Sequence, residues 1–359
     1  MGRSQSPAFR GLTPTFDLRR LNGRRRVVAL TFRMRGVTVA AMHARRMALA
    51  AVLALAAGAL VLVPSRMPAQ AAEPPGARPA TPLNVVVTIP VLKDLAGRVG
   101  GSHVKVVSLM SGLESEHTYS PKPSDLVEIR KARVLLEVGV GLEVWVSSLV
   151  KNSGNPGLLV VTTSRGIALI REHEPQGVAT PMLQDRHRSG NPHVWLDPEN
   201  AKIMMRHITE AFITLDPDHA SEYRRNQAEY LLQLDQLQRE LAERLRHLAD
   251  RRIVVYHPAW PYFARRFGFR IVGEIVTQAG AEPSARHLQA LISRIREDRL
   301  RVIVSEPQMN QKIPEALARE TGARVVVLTP LPGGVAGTET YLDMLRYNVL
   351  QLAQALEAT

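Results

Sequence analysis

The sequence predicts an α/β protein of two doubly wound lobes joined by one long rigid helix, with a metal site in the cleft between the lobes. Three observations lead there. From residue 83 onward, short runs of Val, Leu and Ile alternate with helical segments, as in parallel sheets covered on both faces. The alternation breaks once, at Asp216 to Leu248, the longest helical pattern in the chain. Three histidines, His117, His193 and His257, stand just beyond strand-like runs or just before a helix start. Ligands of open α/β sheets bind at the carboxyl ends of the strands.

The first lobe is expected over residues 83–215. Leu83 to Ile89 reads as a strand, Val91 to Val99 as a short helix and Val104 to Met110 as a second strand. Ser124 and Asp125 offer an N-cap for a helix to about Arg130. A third strand, Val134 to Val138, precedes Gly139 and Gly141. Leu142 to Val150 then reads as a helix and Gly157 to Thr162 as a fourth strand. Residues 171–190 are polar and broken by prolines, so they form a loop. Asp197-Pro198 opens a helix to about Leu215, with Pro at the first helical position.

Residues 216–250 are expected as the connecting helix. Leu234, Leu237, Leu241, Leu245 and Leu248 recur at three- and four-residue steps, an apolar stripe. At ~1.5 Å per residue the pattern would run roughly 45–50 Å. The stripe is shorter than the sustained heptads of a coiled-coil dimer, so a connector within a monomer is expected. The second lobe, 251–359, repeats the alternation. Strands are expected at Ile253 to Tyr256, Ile271 to Ile275, Val302 to Ser305 and Arg324 to Leu328. Helices are expected at Ala259 to Phe267, Ser284 to Glu297, Ile313 to Thr321 and Thr340 to Leu356.

The formal charge of +13 suggests a nucleic-acid partner, but its distribution excludes that reading. Residues 1–71 carry twelve Arg against Asp17 alone, net +11, which leaves +2 of the total for residues 72–359. That N-terminus has the form of an export signal. Arg45-Arg46 precede the apolar run 47–63, then come Pro64 and the small-residue pattern Ala69-Gln70-Ala71. The run is short for a membrane span, so cleavage after Ala71 and a periplasmic protein are expected. Residues 1–41 add an Arg-rich extension, and Met34, Met42 or Met47 is the expected true start. Residues 72–82 form a Pro/Ala linker. The chain has no cysteine, hence no disulfide, no thiolate ligand and no lipid-anchoring cysteine.

Neutral imidazole is a common transition-metal ligand. Three histidines at strand ends would converge across a cleft; a histidine taken alone is more often structural than a ligand, and the triple placement by itself leaves the two readings even. The stretches EHTYSPKPSD, NPHVWLDPENA, VVYHPAWPYFARRFGF and EPSARHLQALI add a resemblance. They are similar to the metal-binding solute receptors of bacterial zinc/manganese ABC importers, the cluster A-I type, over roughly residues 83–359. The resemblance implies two α/β lobes joined by a stiff helix. It implies His117, His193 and His257 as ligands of a cleft-bound metal, and a membrane permease as transient partner. Family members commonly carry an Asp as fourth ligand in a Leu-Asp-Pro-Leu setting. Here the run is Leu328-Thr329-Pro330-Leu331, with Thr329 at the Asp position. Glu116, a water or, less favoured, Glu306 remain as alternatives for the fourth ligand.

Three nitrogens and at most one oxygen suit Zn²⁺, with Mn²⁺, which prefers more oxygen, as the alternative. His173 and His187, with Glu174 and Asp185, form a sparse version of the His-rich loop of zinc-type relatives. His103, His207, His219, His247 and His287 read as surface residues, and Trp195, Trp260 and Tyr262 as packing around the site. The expected function is an extracytoplasmic zinc receptor with no enzymatic role. A zinc-dependent hydrolase, with Glu116 as general base, and a periplasmic metal chaperone or adhesin are the alternatives. The hydrolase is disfavoured because no H-E-x-x-H helix is present.

Overall fold

The computed structural model describes residues 81–171, 190–277 and 281–357. The expected export signal, the Arg-rich extension, most of the linker and the loop histidines His173 and His187 lie outside the described residues.

The chain folds as β1 (Leu83–Val87), α1 (Pro90–Gly100), β2 (Val104–Ser108), α2 (Pro123–Lys131), β3 (Val134–Glu137), α3 (Val146–Ser153) and β4 (Leu159–Thr162). Then follow α4 (Pro198–Leu215) and α5 (Ala220–Leu245). The second half runs β5 (Arg252–Val255), α6 (Pro261–Phe267), β6 (Arg270–Glu274), α7 (Ala285–Glu297), β7 (Val302–Ser305), α8 (Lys312–Thr321), β8 (Arg324–Val327) and α9 (Tyr341–Glu357). The strands form two four-stranded sheets with the same topology, β2-β1-β3-β4 and β6-β5-β7-β8. Every pairing is parallel. The expected α/β class with two sheets is observed. In each sheet the strand order reverses beside the first strand, between β1 and β3 and between β5 and β7. Such switch points open a crevice at the carboxyl ends of the strands.

Parallel strands need both faces covered. In the second sheet Ile253, Val255, Val302 and Val304 enter one core while Val254 and Ile303 enter another, built with Leu291, Ile295 and Leu317 of α7 and α8. The first of these cores is continuous from Val85 of β1 through α4 and α5 to Leu352 of α9. The halves therefore share apolar packing. The last helix contributes to this sharing, since α9 packs on α5 and α1 as well as on β7 and β8.

Several element boundaries differ from the sequence expectation, each for a local reason. The long helix covers 26 residues, about 39 Å at ~1.5 Å per residue, because Pro217–His219 forms a separate 3-10 turn. Leu248 lies beyond its end. Tyr223, Tyr230, Leu234, Leu237, Leu241 and Leu245 form its buried stripe. The cap of α2 is not Ser124. Instead Asp125, in the first turn, accepts from the backbone N–H of Lys122 at 2.7 Å. Residues 142–145 do not join α3, because the Glu143 side chain folds back onto the chain between them and β3. Its carboxylate accepts from Thr88 Oγ1 at 2.7 Å, from Val138 N at 2.8 Å and from Gly139 N at 2.9 Å. Glu143 thus ties the ends of β1 and β3 at the switch point of the first sheet. His103 and His219, expected as surface residues, stack at 3.8 Å between ring centroids, paired with Glu222 and Asp216 respectively.

Two predictions follow from this packing. Leu237→Ala should cost about 2–5 kcal/mol, the range for deleting a buried leucine side chain, read by denaturant unfolding. Burial pushes the Glu143 carboxyl up to about 7 against the three hydrogen bonds it accepts. A raised folded-state value means stability present below the unfolded pKa of about 4.5 and lost as pH rises toward 7. Wild type should therefore lose stability relative to Glu143→Gln across that interval. A difference that stays constant from pH 4.5 to 8 would refute the assignment.

Candidate metal centre

The crevices of both sheets contribute to one cluster. After β2 the chain leaves the sheet and delivers Glu116 and His117. After β5 it delivers His257. His193 comes from the turn ahead of α4, where Asp197 caps the helix by accepting from Glu199 N at 3.0 Å. One ligand atom from each of Glu116, His117, His193 and His257 lies within 4.8 Å of the others, a grouping found once among the described residues. Glu116, His193 and His257 are buried and His117 partly so. The ring centroids stand 5.0 Å apart for His117–His193, 5.5 Å for His117–His257 and 5.3 Å for His193–His257.

Two of the rings are held by residues behind them. Glu306 Oε1 accepts from His257 Nδ1 at 2.8 Å and from Trp260 Nε1 at 3.1 Å. A carboxylate only accepts, so His257 carries its proton on Nδ1 and turns the Nε2 lone pair inward. The amide of Asn191 is oriented by a similar argument. Its nitrogen donates to the Pro258 carbonyl at 2.6 Å, which leaves Oδ1 to accept from His193 N at 3.0 Å and from His193 Nδ1 at 2.9 Å. His193 Nε2 therefore faces the cluster and stands 3.0 Å from His117 Nε2. Glu116 Oε1 is 3.4 Å from His193 Nε2 and 3.9 Å from His117 Nε2. Glu116 Oε1 and His257 Nε2 are buried with no hydrogen-bond partner. Such orphaned buried acceptors fit a bound cation.

The electrostatics agree. Burial would raise the Glu116 carboxyl, but the surrounding imidazoles of His193, His117 and His257 hold it down at about 2. Burial lowers His193 below its ordinary value. Burial also works against charge on His257, yet the Glu306 carboxylate outweighs it and raises that ring.

Not every sequence candidate joins the cluster. Glu306, weighed as a fourth ligand, is committed to His257 and Trp260 and lies outside the four-residue group. Thr329 also lies outside it: its hydroxyl donates to the Leu331 carbonyl at 2.6 Å, and Asn348 brackets its backbone at 3.0 and 2.8 Å. The aromatic residues pack as expected. Trp195 lies 5.3 Å from His193 and donates to the Pro330 carbonyl, while the Tyr262 hydroxyl donates to the Asn191 carbonyl. Sequence reasoning missed Asn191. Its one signal was the Asn-Pro turn two residues ahead of His193, which reads as a turn and not as a ring clamp.

A buried His-Glu cluster in the seam of two parallel α/β sheets defines a metal-binding protein of the two-lobed receptor class. Residues 85–355 match the family model described as zinc-uptake complex component A, periplasmic, and the chain belongs to that family. It is 28% identical over 294 residues to the high-affinity zinc uptake system protein ZnuA of Brucella abortus, covering 73% of this chain and 88% of that one. It is 29% identical over 280 residues to the iron-binding protein YfeA of Yersinia pestis, covering 77% and 86%. A crystal structure of ZnuA superposes with a TM-score of 0.68 at 29% identity, covering 77% of this chain and 100% of that chain.

One prediction needs no metal. Because Glu306 raises His257, Glu306→Gln should lower the His257 pKa in the metal-free protein, read by histidine NMR titration. An unchanged value would detach Glu306 from that ring.

Proposed function

We propose that this protein is an extracytoplasmic receptor that binds a single divalent metal ion, zinc, and hands it to an ABC importer in the membrane. His117, His193, His257 and Glu116 are the ligands, three nitrogens and one oxygen, a set that suits four-coordinate zinc better than manganese. The observation that carries the reading is the grouping of these four side chains within 4.8 Å, with Glu116 Oε1 and His257 Nε2 buried and without a hydrogen-bond partner. The zinc-uptake description of the family and of the Brucella relative supports zinc. The iron-binding relative makes iron the competitor to exclude. The metal is cargo. Ligands drawn from both halves of the fold suit capture and release, and the zinc-loaded protein should turn over no hydrolase substrate. No described helix is long and apolar enough to cross a membrane. We place the protein in the periplasm, as a monomer, with residues 1–71 as the export segment and the first lobe, connecting helix and second lobe in that order.

Calorimetric titration should give one zinc per chain, and His117→Ala, His193→Ala or His257→Ala should each abolish that stoichiometric binding. Full retention in any one variant removes that residue from the site. The pH dependence has a defined sign. A ring must be neutral to bind, and His257 holds its proton to higher pH than an ordinary imidazole, ~6.5. Zinc affinity should begin to fall above pH 6.5 on acidification, while Glu116, ionised down to about 2, plays no part in that loss. Growth of a deletion strain in chelator-treated medium, restored by wild type and not by His193→Ala, would connect binding to uptake.

A further inference from the structure

The seam between the two halves is fastened unevenly. On the His193 side the polar links are dense. Asn191 reaches the Pro258 carbonyl, Tyr262 the Asn191 carbonyl and Trp195 the Pro330 carbonyl, and Arg266 forms a two-bond ion pair with Asp197 at 2.6 and 3.1 Å. On the His117 side, next to the His117–His257 ring contact at 5.5 Å, a side-chain amide crosses the seam. Gln308, beyond β7, donates from Nε2 to the backbone carbonyl of Gly112 at 2.6 Å, at the start of the segment that carries Glu116 and His117. The surroundings are shaped for this contact. Gly112 has φ +95°, and a Cβ there would stand 2.4 Å from the Pro332 carbonyl oxygen. A Cβ on Gly334 would meet Thr329 Oγ1 at 2.2 Å and Gln308 Nε2 at 3.1 Å. The Gly112 carbonyl can only accept, so the amide cannot be turned over. The other end of the amide, Gln308 Oε1, is buried without a hydrogen-bond partner. The contact contributes one net hydrogen bond to closure.

We propose that Gln308 is a positioning residue of the metal centre: its amide latches segment 111–118 onto the second half of the molecule. When the latch lets go, that segment opens while the His193 side stays fastened. The route of the ion is therefore past His117, and Gln308 sets how fast it is lost. The consequence for metal rests on the proposed receptor function; the latch itself does not.

Hydrogen exchange on the metal-free protein tests the latch. Gln308→Ala, and Gln308→Glu, which keeps the shape and removes the donor, should speed exchange several-fold over 111–118 and leave β5 and β7 unchanged. Unchanged exchange over 111–118, or acceleration spread over the whole fold, overturns the proposal. In the zinc-loaded protein, dissociation into excess EDTA should rise about five-fold in both variants, the ratio that one net hydrogen bond sustains, with one zinc per chain retained. An unchanged dissociation rate beside loosened exchange also overturns it. A wild-type chain that takes up no zinc would defeat the receptor reading and leave the exchange result to decide the latch.

Discussion

Glu116 Oε1 and the Nε2 atoms of His193 and His257 are acceptors crowded together away from water, with His117 Nε2 3.0 Å from His193 Nε2. The His117–His193 contact is at hydrogen-bond distance, while Glu116 Oε1 and His257 Nε2 stay unpartnered, and burying polar atoms without a partner is expensive. The rest of the site can be understood as the means of holding that arrangement. Glu306 and Asn191 fix the rings from behind, Trp195 and Trp260 exclude water around them, and Asp197 fastens both α4 and Arg266 beside them. In the proposed function a divalent ion among the four ligands would satisfy both Glu116 Oε1 and His257 Nε2. The cost of assembly is met by folding and returned when the ion binds, which is the logic of a preorganised site.

The fold supplies the rigidity that this requires. Two sheets of the same strand order present their switch points to a common seam, and a single apolar core passes beneath it through α4, α5 and α9. The long helix is packed along its length by α1, α4 and α9 and is not a free strut. Motion within the centre is then expected where packing is thinnest, in the chain between β2 and α2, with Leu113 largely exposed there.

Much of this was legible in the sequence, because parallel strands buried on both faces leave unbroken Val and Ile runs and an amphipathic helix leaves a leucine stripe. His117, His193 and His257 were legible by position, each beside the end of a strand or the start of a helix. Glu116 was one of several open alternatives, since adjacency to His117 does not fix where a side chain points. What the sequence did not carry were pairings between distant residues. Glu306 stands 49 positions from His257, and Asn191 reaches Pro258 across 67. Neither pairing has a spacing rule. The helix boundaries at Ala220 and Val146 shifted for local reasons, because the Pro217 turn and the Glu143 hydrogen bonds override helical preference.

Asn191 is also a mechanical part. One end of its amide holds the His193 proton and the other holds a carbonyl that belongs to the opposite half of the protein. Any rotation of that half that carries the Pro258 carbonyl away must either break the tether or turn the amide. A turned amide no longer secures the imidazole tautomer. The position of the opposite half and the basicity of one lone pair are thereby linked, so a displacement that breaks the tether would also change the donor strength of His193 Nε2.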